Sequence, residues 1–544
     1  MDKKLQKLPV TQSSFESIIN ENLLYVDKTQ QILRLFERGK YLFLSRPRRF
    51  GKSMLVSTLK ALFEGKKHLF KGLYIEDKWE WKEYPVIRID FSAINYLYDT
   101  EEFKIDLGDY LQTVGEEYDL NIKGRHFKAI LRNLIIALHK KFNRGVVILI
   151  DEYDKPITDF IDDPIRVEEN RKILKDFYTT LKSQNDYIHK VFITGVSKFA
   201  KISVFSGMNN AKDLTLEASL NDIIGLTKAD ILHHFSDRIS LLEAKYNRSR
   251  SEILAAIKHW YNGYSWDGVN FMYNPFSIIN FFDRLEFNNF WYQSGTPTML
   301  IKLIMERAYA GTAPQKPTEY EQIQVTQTTF DSAEVTNINI EGLLFQTGYL
   351  TIVHKDTSNL TPLYVLDYPN HEVRWSFTAH ILETYAQMPR RDIEPGALRL
   401  KRALQNGDKE QFMKLLKSYF ALIPYQLRYK ADEAYYHSLF QMVFTLIGIK
   451  MVSERSTNEG RIDGVLEFKD TVYIIEFKHK RSGTLATLTK NALQQIEAKN
   501  YAQAFEHSQK NIHLVGIGFL EKNKNDKGQV LLEIDAEWKE YRKE

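Results

Sequence analysis

Four short runs of apolar, largely β-branched and aromatic residues constrain the first half of this 544-residue chain more than any other feature. They are YLFLS (41–45), VIRIDF (86–91), VVILI (146–150) and KVFIT (190–194), and helix-length segments separate them. VVILI carries no polar alternation, which suits a strand covered on both faces. Strands spaced by helical segments, here around 126–142 and 171–183, predict a parallel sheet with helices on both sides. One such sheet cannot occupy the whole chain, because a sequence of this length exceeds a single core and implies two or three domains.

The texture changes near residue 228. YNGYSW, YNPFSI and YQSGTP are rich in turn-formers and aromatics, and predict a helical lid or connector with a small strand element at 343–353. After MPRRDIEPG a third pattern begins, with helices, a hairpin, then another helix and strand. The expected division is therefore 1–230, 231–388 and 389–544. No repeat and no low-complexity tract interrupts it. An apolar fraction of 43% with 26% charged residues fits ordinary globular protein and excludes disorder. The absence of cysteine removes disulfides and Cys-ligated metal, and fits a reducing compartment. Neither a signal peptide nor an uninterrupted apolar span is visible, so a cytoplasmic location without membrane insertion is expected.

The turn after YLFLS reads Arg46-Pro47-Arg48-Arg49-Phe50-Gly51-Lys52-Ser53 and opens a helix-like run. A strand, a turn ending Gly-Lys-Ser and a helix make a phosphate-binding loop. Amides of Arg49, Phe50 and Gly51 would face the phosphates, Lys52 would offset their charge, and Ser53 would hold Mg²⁺. Arg46 occupies the place of the usual first glycine, which narrows the backbone available there. VVILI runs into Asp151-Glu152, an acid pair placed to support the cation and to polarise water. Thr194, ending KVFIT, is either a sensor of the terminal phosphate or a plain strand-end hydroxyl. VIRIDF lies between the two motifs in sequence, the mark of the additional-strand branch of P-loop ATPases.

A second constellation lies near the C-terminus. GRIDGVLEF (460–468) and TVYIIEFKHK (471–480) flank Lys469-Asp470 as an antiparallel hairpin. Counting from that dipeptide sets Asp463 opposite Glu476 and Arg461 opposite Lys478. These four share one face, and Ile462, Ile475 and Phe477 the other. Two opposed carboxylates repel by up to about 1 kcal/mol. Lys478 and Arg461 could neutralise them structurally, or a hard divalent ion such as Mg²⁺ could bridge them. The C-terminal region carries only a slight basic surplus, too little for a dedicated nucleic-acid stripe.

YVDKT (25–29), RPRRFGKS, LIDEYD (149–154), FITGVSKF (192–199) and WYNGY (260–264) together resemble the AAA-ATPase-like proteins of anaerobic bacteria, whose pattern shares the arginine at position 46. Members carry a C-terminal nuclease-superfamily domain, and ID…EFK resembles the PD-(D/E)xK pattern. The resemblance implies an AAA-like P-loop domain, a helical connector and a C-terminal α/β restriction-endonuclease-like domain. It also implies metal binding at Asp463 and Glu476, with Lys478 acting on the attacking water. Glu433, beginning the helix ahead of the hairpin, would be a further acidic ligand, and Gln495 and Tyr501, on the helix after it, would be helpers. The implied cofactors are ATP and Mg²⁺ at two separate sites, the implied partner nucleic acid, and an oligomer is compatible with the pattern. The expected function is an ATP-binding, ATP-hydrolysing protein coupled to cleavage of DNA or RNA. The alternative is a nucleotide switch whose C-terminal domain binds nucleic acid or a protein without cutting.

Overall fold

The structure is a computed structural model that describes residues 5–198, 211–291, 304, 320–330, 339–386, 390–421, 433–446, 451–452, 455–457, 460–522 and 531–541. The chain divides into two compact units, Met1–Met299 with Tyr320–Val373, and Leu300–Glu319 with Arg374–Glu544.

The first unit is built on five parallel strands. β1 (Tyr41–Ser45), β2 (Val86–Asp90), β3 (Val146–Asp151), β4 (Ile188–Gly195) and β5 (Lys212–Asp213) lie in the order β2-β3-β4-β1-β5. All four pairings are parallel. Every residue of β1 and β3 is buried, as continuous apolar runs require in a sheet covered on both faces. The strand standing between β1 and β3 in space is β4. VIRIDF, which separates the two motifs in sequence, instead forms the edge strand β2 beyond β3. Helices Lys52–Phe63, Thr100–Glu116, Phe127–Phe142 and Pro164–Ser183 make the crossovers. The last begins earlier than the apolar pattern suggests, because Asp163 caps it and Pro164 takes its first position.

The stretch made of 231–299 and 320–373, expected within a separate connector, groups with this same unit. It contains helices Ser236–Tyr246, Arg250–Tyr261 and Pro275–Arg284, the short hairpin β6 (Asn262–Tyr264) and β7 (Met272–Tyr273), and an antiparallel sheet. That sheet orders β8 (Ile323–Thr326), β10 (Leu363–Asp367) and β9 (Thr351–Asp356) as β8-β10-β9. The strand expected over 343–353 is half wrong. Ile340–Thr347 is a helix that ends at Gly348 (φ 90°), and only then does β9 begin. A short apolar run such as LLF does not separate buried helix from buried strand by itself.

The second unit holds a mixed sheet in the order β11-β14-β15-β16-β17. Its strands are β11 (Met451–Val452), β14 (Gly464–Glu467), β15 (Thr471–Lys480), β16 (Asn511–Lys522) and β17 (Leu531–Tyr541), and only β15 and β16 run parallel. β12 (Arg455–Thr457) and β13 (Gly460–Ile462) pair separately. Helix Leu485–Ala498 packs on β15 and β16, and helix Glu433–Leu446 also packs on β15. Gly516 and Gly518 of β16 permit the first of these contacts. A Cβ at 516 would come 2.5 Å from the Thr489 carbonyl oxygen and 2.7 Å from the Leu493 nitrogen.

Candidate functional site

The phosphate loop leaves β1 at the C-terminal edge of the first sheet, and its backbone makes the cradle without a glycine at position 46. Left-handed conformation occurs instead at Arg49 (φ 67°) and Gly51 (φ 94°), the latter directly before the helix Lys52–Phe63. Arg46 has negative φ, so no glycine is needed there. Its side chain, 1% exposed, donates to the carbonyls of Ser45 (3.0 Å) and Thr215 (2.8 Å) and lies 3.9 Å from the centre of the Trp266 ring. Burial lowers its pKa to about 9, against the pull of Asp213 and Asp267. Arg46 is therefore a structural bolt between loop and connector, and does not face phosphate.

Other loop residues are fastened in the same direction. Phe50 is fully buried and meets Tyr264 and Trp266 edge-on at ring separations of 4.7 and 5.3 Å, so only its backbone can serve a nucleotide. The Arg49 guanidinium lies 4.3 Å from the Phe276 ring centre. Gly348 packs against Pro47 so closely that a Cβ would come 2.7 Å from the proline. The connector segment thus forms the outer wall of the loop, a relation that YNGYSW in the sequence carried no sign of.

Lys52, 4% exposed, folds back to donate to the Pro47 carbonyl at 3.2 Å and stands 3.8 Å from a Glu152 carboxylate oxygen. Asp151 ends β3 at 0% exposure. Its Oδ1 accepts the Glu152 amide at 3.1 Å, whereas Oδ2 finds no hydrogen-bond partner among the described residues. Burial raises the Asp151 pKa to about 6; the Ser53 hydroxyl and Lys52 act against the rise, and Glu152 and Asp90 add to it. Lys52, Ser53, Asp151 and Glu152 are thus brought together. Glu152 itself sits in left-handed backbone (φ 50°), with its carboxylate 3.8 Å from the Lys52 ammonium. The Thr194 hydroxyl donates to the Leu44 carbonyl at 2.7 Å, the strand-end role.

Sequence reading overlooked Asp154, the last acid of LIDEYD. It is buried and accepts the amide of Ser197 at 2.6 Å, the Ser197 hydroxyl at 2.8 Å and the amide of Val196. Burial raises its pKa, and the Ser197 bonds resist that. From this clamp the chain continues to Lys198, whose amide donates to Gln346 (2.8 Å) and whose ammonium pairs with Asp213 (3.0 Å). The Asp-x-x-Asp spacing from residue 151 was a usable signal.

In the second unit the hairpin has the expected register. Gly464 pairs with Ile475 and Glu467 with Val472, which extends to Asp463 opposite Glu476. The strand expected over 460–468 is broken at Asp463, however, and β13 pairs with β12. Arg461 therefore stands opposite Ser456 and not Lys478. The break inverts the alternation. Ile462 packs with Val465, Val472 and Ile474, not with Phe477, which meets Phe440 and Phe519 on the other face. Leaving the ladder frees the Asp463 carboxylate to accept the Phe477 amide at 2.9 Å.

Glu476 is 1% exposed. Its Oε1 receives Lys478 Nζ at 3.2 Å and also the Gln495 side-chain amide, while its buried Oε2 is unpartnered among the described residues. Burial and then the Asp463 charge raise its pKa, with Lys478 opposing. Gln495 lies on the helix Leu485–Ala498, but Tyr501 does not. Asn500 (φ 41°) follows the end of that helix, and Tyr501 sits in the apolar core. Glu433 opens its helix as expected, and its side chain lies outside what the structure describes.

Both sites meet the requirement of a hard divalent cation for one or two carboxylates with water completing the shell. Each offers a buried carboxylate oxygen with no hydrogen-bond partner among the described residues, Asp151 Oδ2 and Glu476 Oε2. Among the described residues no three His, Asp or Glu side chains form a closed metal cage. No described helix is long and apolar enough to cross a membrane.

Sheet order, cradle and acid pair define the first unit as a P-loop domain of the additional-strand, AAA-like class. The mixed sheet with Asp463, Glu476 and Lys478 on one hairpin is that of the PD-(D/E)XK class. The family model described as a predicted AAA-ATPase matches residues 9–205, and that of the PD-(D/E)XK nuclease superfamily matches 431–528. The chain is 34% identical over 535 residues to a protein of Azotobacter chroococcum mcd 1 described as "Uncharacterized protein in vnfD 5'region", covering 97% of this chain and 99% of that one. No solved structure matches. The chain belongs to the AAA-ATPase-like family with a C-terminal PD-(D/E)XK nuclease superfamily domain.

Proposed function

We propose that this protein binds and hydrolyses ATP in its first unit and cleaves nucleic-acid phosphodiesters in its second, both with Mg²⁺. The observation that carries the reading is the pair of buried carboxylate oxygens, Asp151 Oδ2 and Glu476 Oε2, that have no hydrogen-bond partner among the described residues, with Lys52 at 3.8 Å from the neighbouring Glu152 and Lys478 at 3.2 Å from the other oxygen of Glu476. Leaving such an oxygen unsatisfied is unfavourable by roughly 1–3 kcal/mol, which a cation would recover.

At the first site the amides of residues 49–51 cradle the phosphates, and Lys52 exchanges Pro47 and Glu152 for phosphate oxygens. Glu152, released from Lys52, then orients water toward the terminal phosphorus. Ser53 and Asp151 would hold Mg²⁺, which offsets the charge developing on the leaving phosphate. At the second site Asp463 and Glu476 would hold the cation, Gln495 fixes the Glu476 carboxylate, and Lys478 positions the attacking water and offsets the charge developing on the phosphate. Glu433 completes the acidic set in this reading, and Thr194 acts only through β1.

A narrower reading, a nucleotide-dependent binder without cleavage, draws support from Lys478 and Gln495 both engaging Glu476 Oε1. Purified protein assayed for phosphate release and for degradation of labelled DNA and RNA separates the two. Lys52→Ala should stop the first activity and Asp463→Ala the second. Intact substrates with wild type under both Mg²⁺ and Mn²⁺ would leave only the binder.

A further inference from the structure

We propose that Asp90 is a positioning residue of the nucleotide site: it is the second acid that holds, through water, the cation arriving with the triphosphate. This rests on the nucleotide-binding reading above. Nothing in the chemistry of VIRIDF marks that aspartate, because an acid at a strand end is usually a cap. Its significance comes from register. β2 and β3 run parallel and Asp90 pairs with Asp151. In-register residues on neighbouring parallel strands project to the same face from backbones about 4.8 Å apart. Both are the last residues of their strands, so both carboxylates stand at the sheet edge where the phosphate loop lies.

Two like charges set side by side destabilise a sheet unless something cationic lies between them. Among the described residues the cation paired with Asp90 is Arg88, on its own strand, and that separation is a loose 3.7 Å. Lys52 is turned to Pro47 and Glu152. The independent observation is on the neighbour: Asp151 Oδ2 is buried, with no hydrogen-bond partner among the described residues. Asp90 is 24% exposed in its side chain, open enough to reach a hydrated ion and too peripheral to ligate in the buried position. An ion that keeps several of its waters needs such outer acceptors.

The competing role is local. Asp90 Oδ1 accepts the amide of Ser92 (2.9 Å) and its hydroxyl (2.6 Å), capping the turn that follows β2. Asparagine preserves that cap while removing the charge, so Asp90→Asn separates the two roles. The experiment titrates a fluorescent ATP analogue into full-length wild type and D90N, once in EDTA and once in Mg²⁺. The Mg²⁺-dependent gain in affinity should fall by about tenfold in D90N, the lower range for removing an outer-shell partner of a bound metal. Affinity in EDTA should be unchanged or tighter, since a repelling carboxylate has gone. An equal Mg²⁺ gain in both proteins would overturn this role for Asp90 while leaving nucleotide binding intact. Wild type that binds no analogue in either buffer would overturn the nucleotide reading itself, and this inference with it.

Discussion

The two candidate sites solve the same problem, holding acids where a cation is wanted, by opposite routes. In the first unit the site is gathered from residues 46–53, 90 and 151–154, which only a parallel sheet brings to one edge. In the second, Asp463, Glu476 and Lys478 lie within one hairpin, and a single turn fixes their relation. The gathered site is braced from outside by Tyr264, Trp266, Phe276 and Gly348. The hairpin site is braced from one helix, through Gln495 and the close approach that Gly516 and Gly518 allow. A site assembled from distant segments depends on many contacts; a site on one hairpin depends on its register and the helices packed on it.

The sharpest test of that contrast is a double dissociation. Lys52→Ala should lower phosphate release by about 10²–10³-fold, the loss expected for one charge-stabilising donor, and leave cleavage of labelled nucleic acid in the absence of ATP unchanged. Lys478→Ala should lower cleavage by about 10²–10³-fold, as for one charge-stabilising donor, with phosphate release unchanged. A single substitution silencing both activities would deny that the sites are separate.

A second test uses a buried acid of the connector. Glu372 accepts the amides of Phe290 (2.6 Å) and Trp291 (2.8 Å), and burial raises its pKa to about 7 from an ordinary 4.5. The folded carboxyl keeps its proton to near neutrality while the unfolded one releases it near pH 4.5. Its contribution to stability is therefore full below 4.5 and is lost as pH rises through about 7. The difference corresponds to at most about 3–4 kcal/mol. Glu372→Gln should flatten that part of the pH–stability profile of the first unit, read by urea denaturation between pH 4.5 and 8. Asp151 and Asp154 slope the same way in wild type and variant alike, so the difference between the two profiles isolates Glu372. Identical profiles would dismiss the buried acid.

Smaller effects probe the braces. Gly516→Ala should lower the stability of the second unit by about 1–3 kcal/mol, the usual result of overpacking, seen as faster amide exchange in β15 and β16. Unchanged exchange would mean that the helix has room to move off. Trp266→Leu should destabilise the first unit by about 0.5–2 kcal/mol through loss of its stack with Arg46, whereas Trp266→Phe should recover most of it. If Leu and Phe behave alike in thermal melts, the guanidinium stack contributes nothing of its own.

How far each site could be read from residues follows from the same contrast. Hairpin register is arithmetic from a turn, so Asp463 opposite Glu476 was legible. The break at Asp463 was not, because period-2 alternation continues on paper where backbone turns away to use a carboxylate. Arg461 and Ile462 were misplaced for that reason. In the first unit the motif residues were legible by local chemistry, but Asp90 and Asp154 were not singled out, and the packing of the Phe50 ring against Tyr264 and Trp266, which leaves its backbone for the nucleotide, was not legible. Gln495 was placed on its helix and Tyr501 one turn too far along it, since Asn500 adopts a left-handed conformation that a helix-forming neighbourhood conceals.

By itself the sequence determined the strands at 41–45, 86–90, 146–151 and 188–195, where the phosphate loop and the acid pair stand, and which two carboxylates oppose each other on the late hairpin. These are consequences of short-range rules: side-chain period, turn chemistry and spacing along one backbone. The tertiary structure alone decided that β4 separates β1 from β3, that Asp90 stands beside Asp151, and that Arg46 braces a loop against Trp266. Those relations depend on crossovers and packing between residues up to about 220 positions apart, whose closure no local preference records.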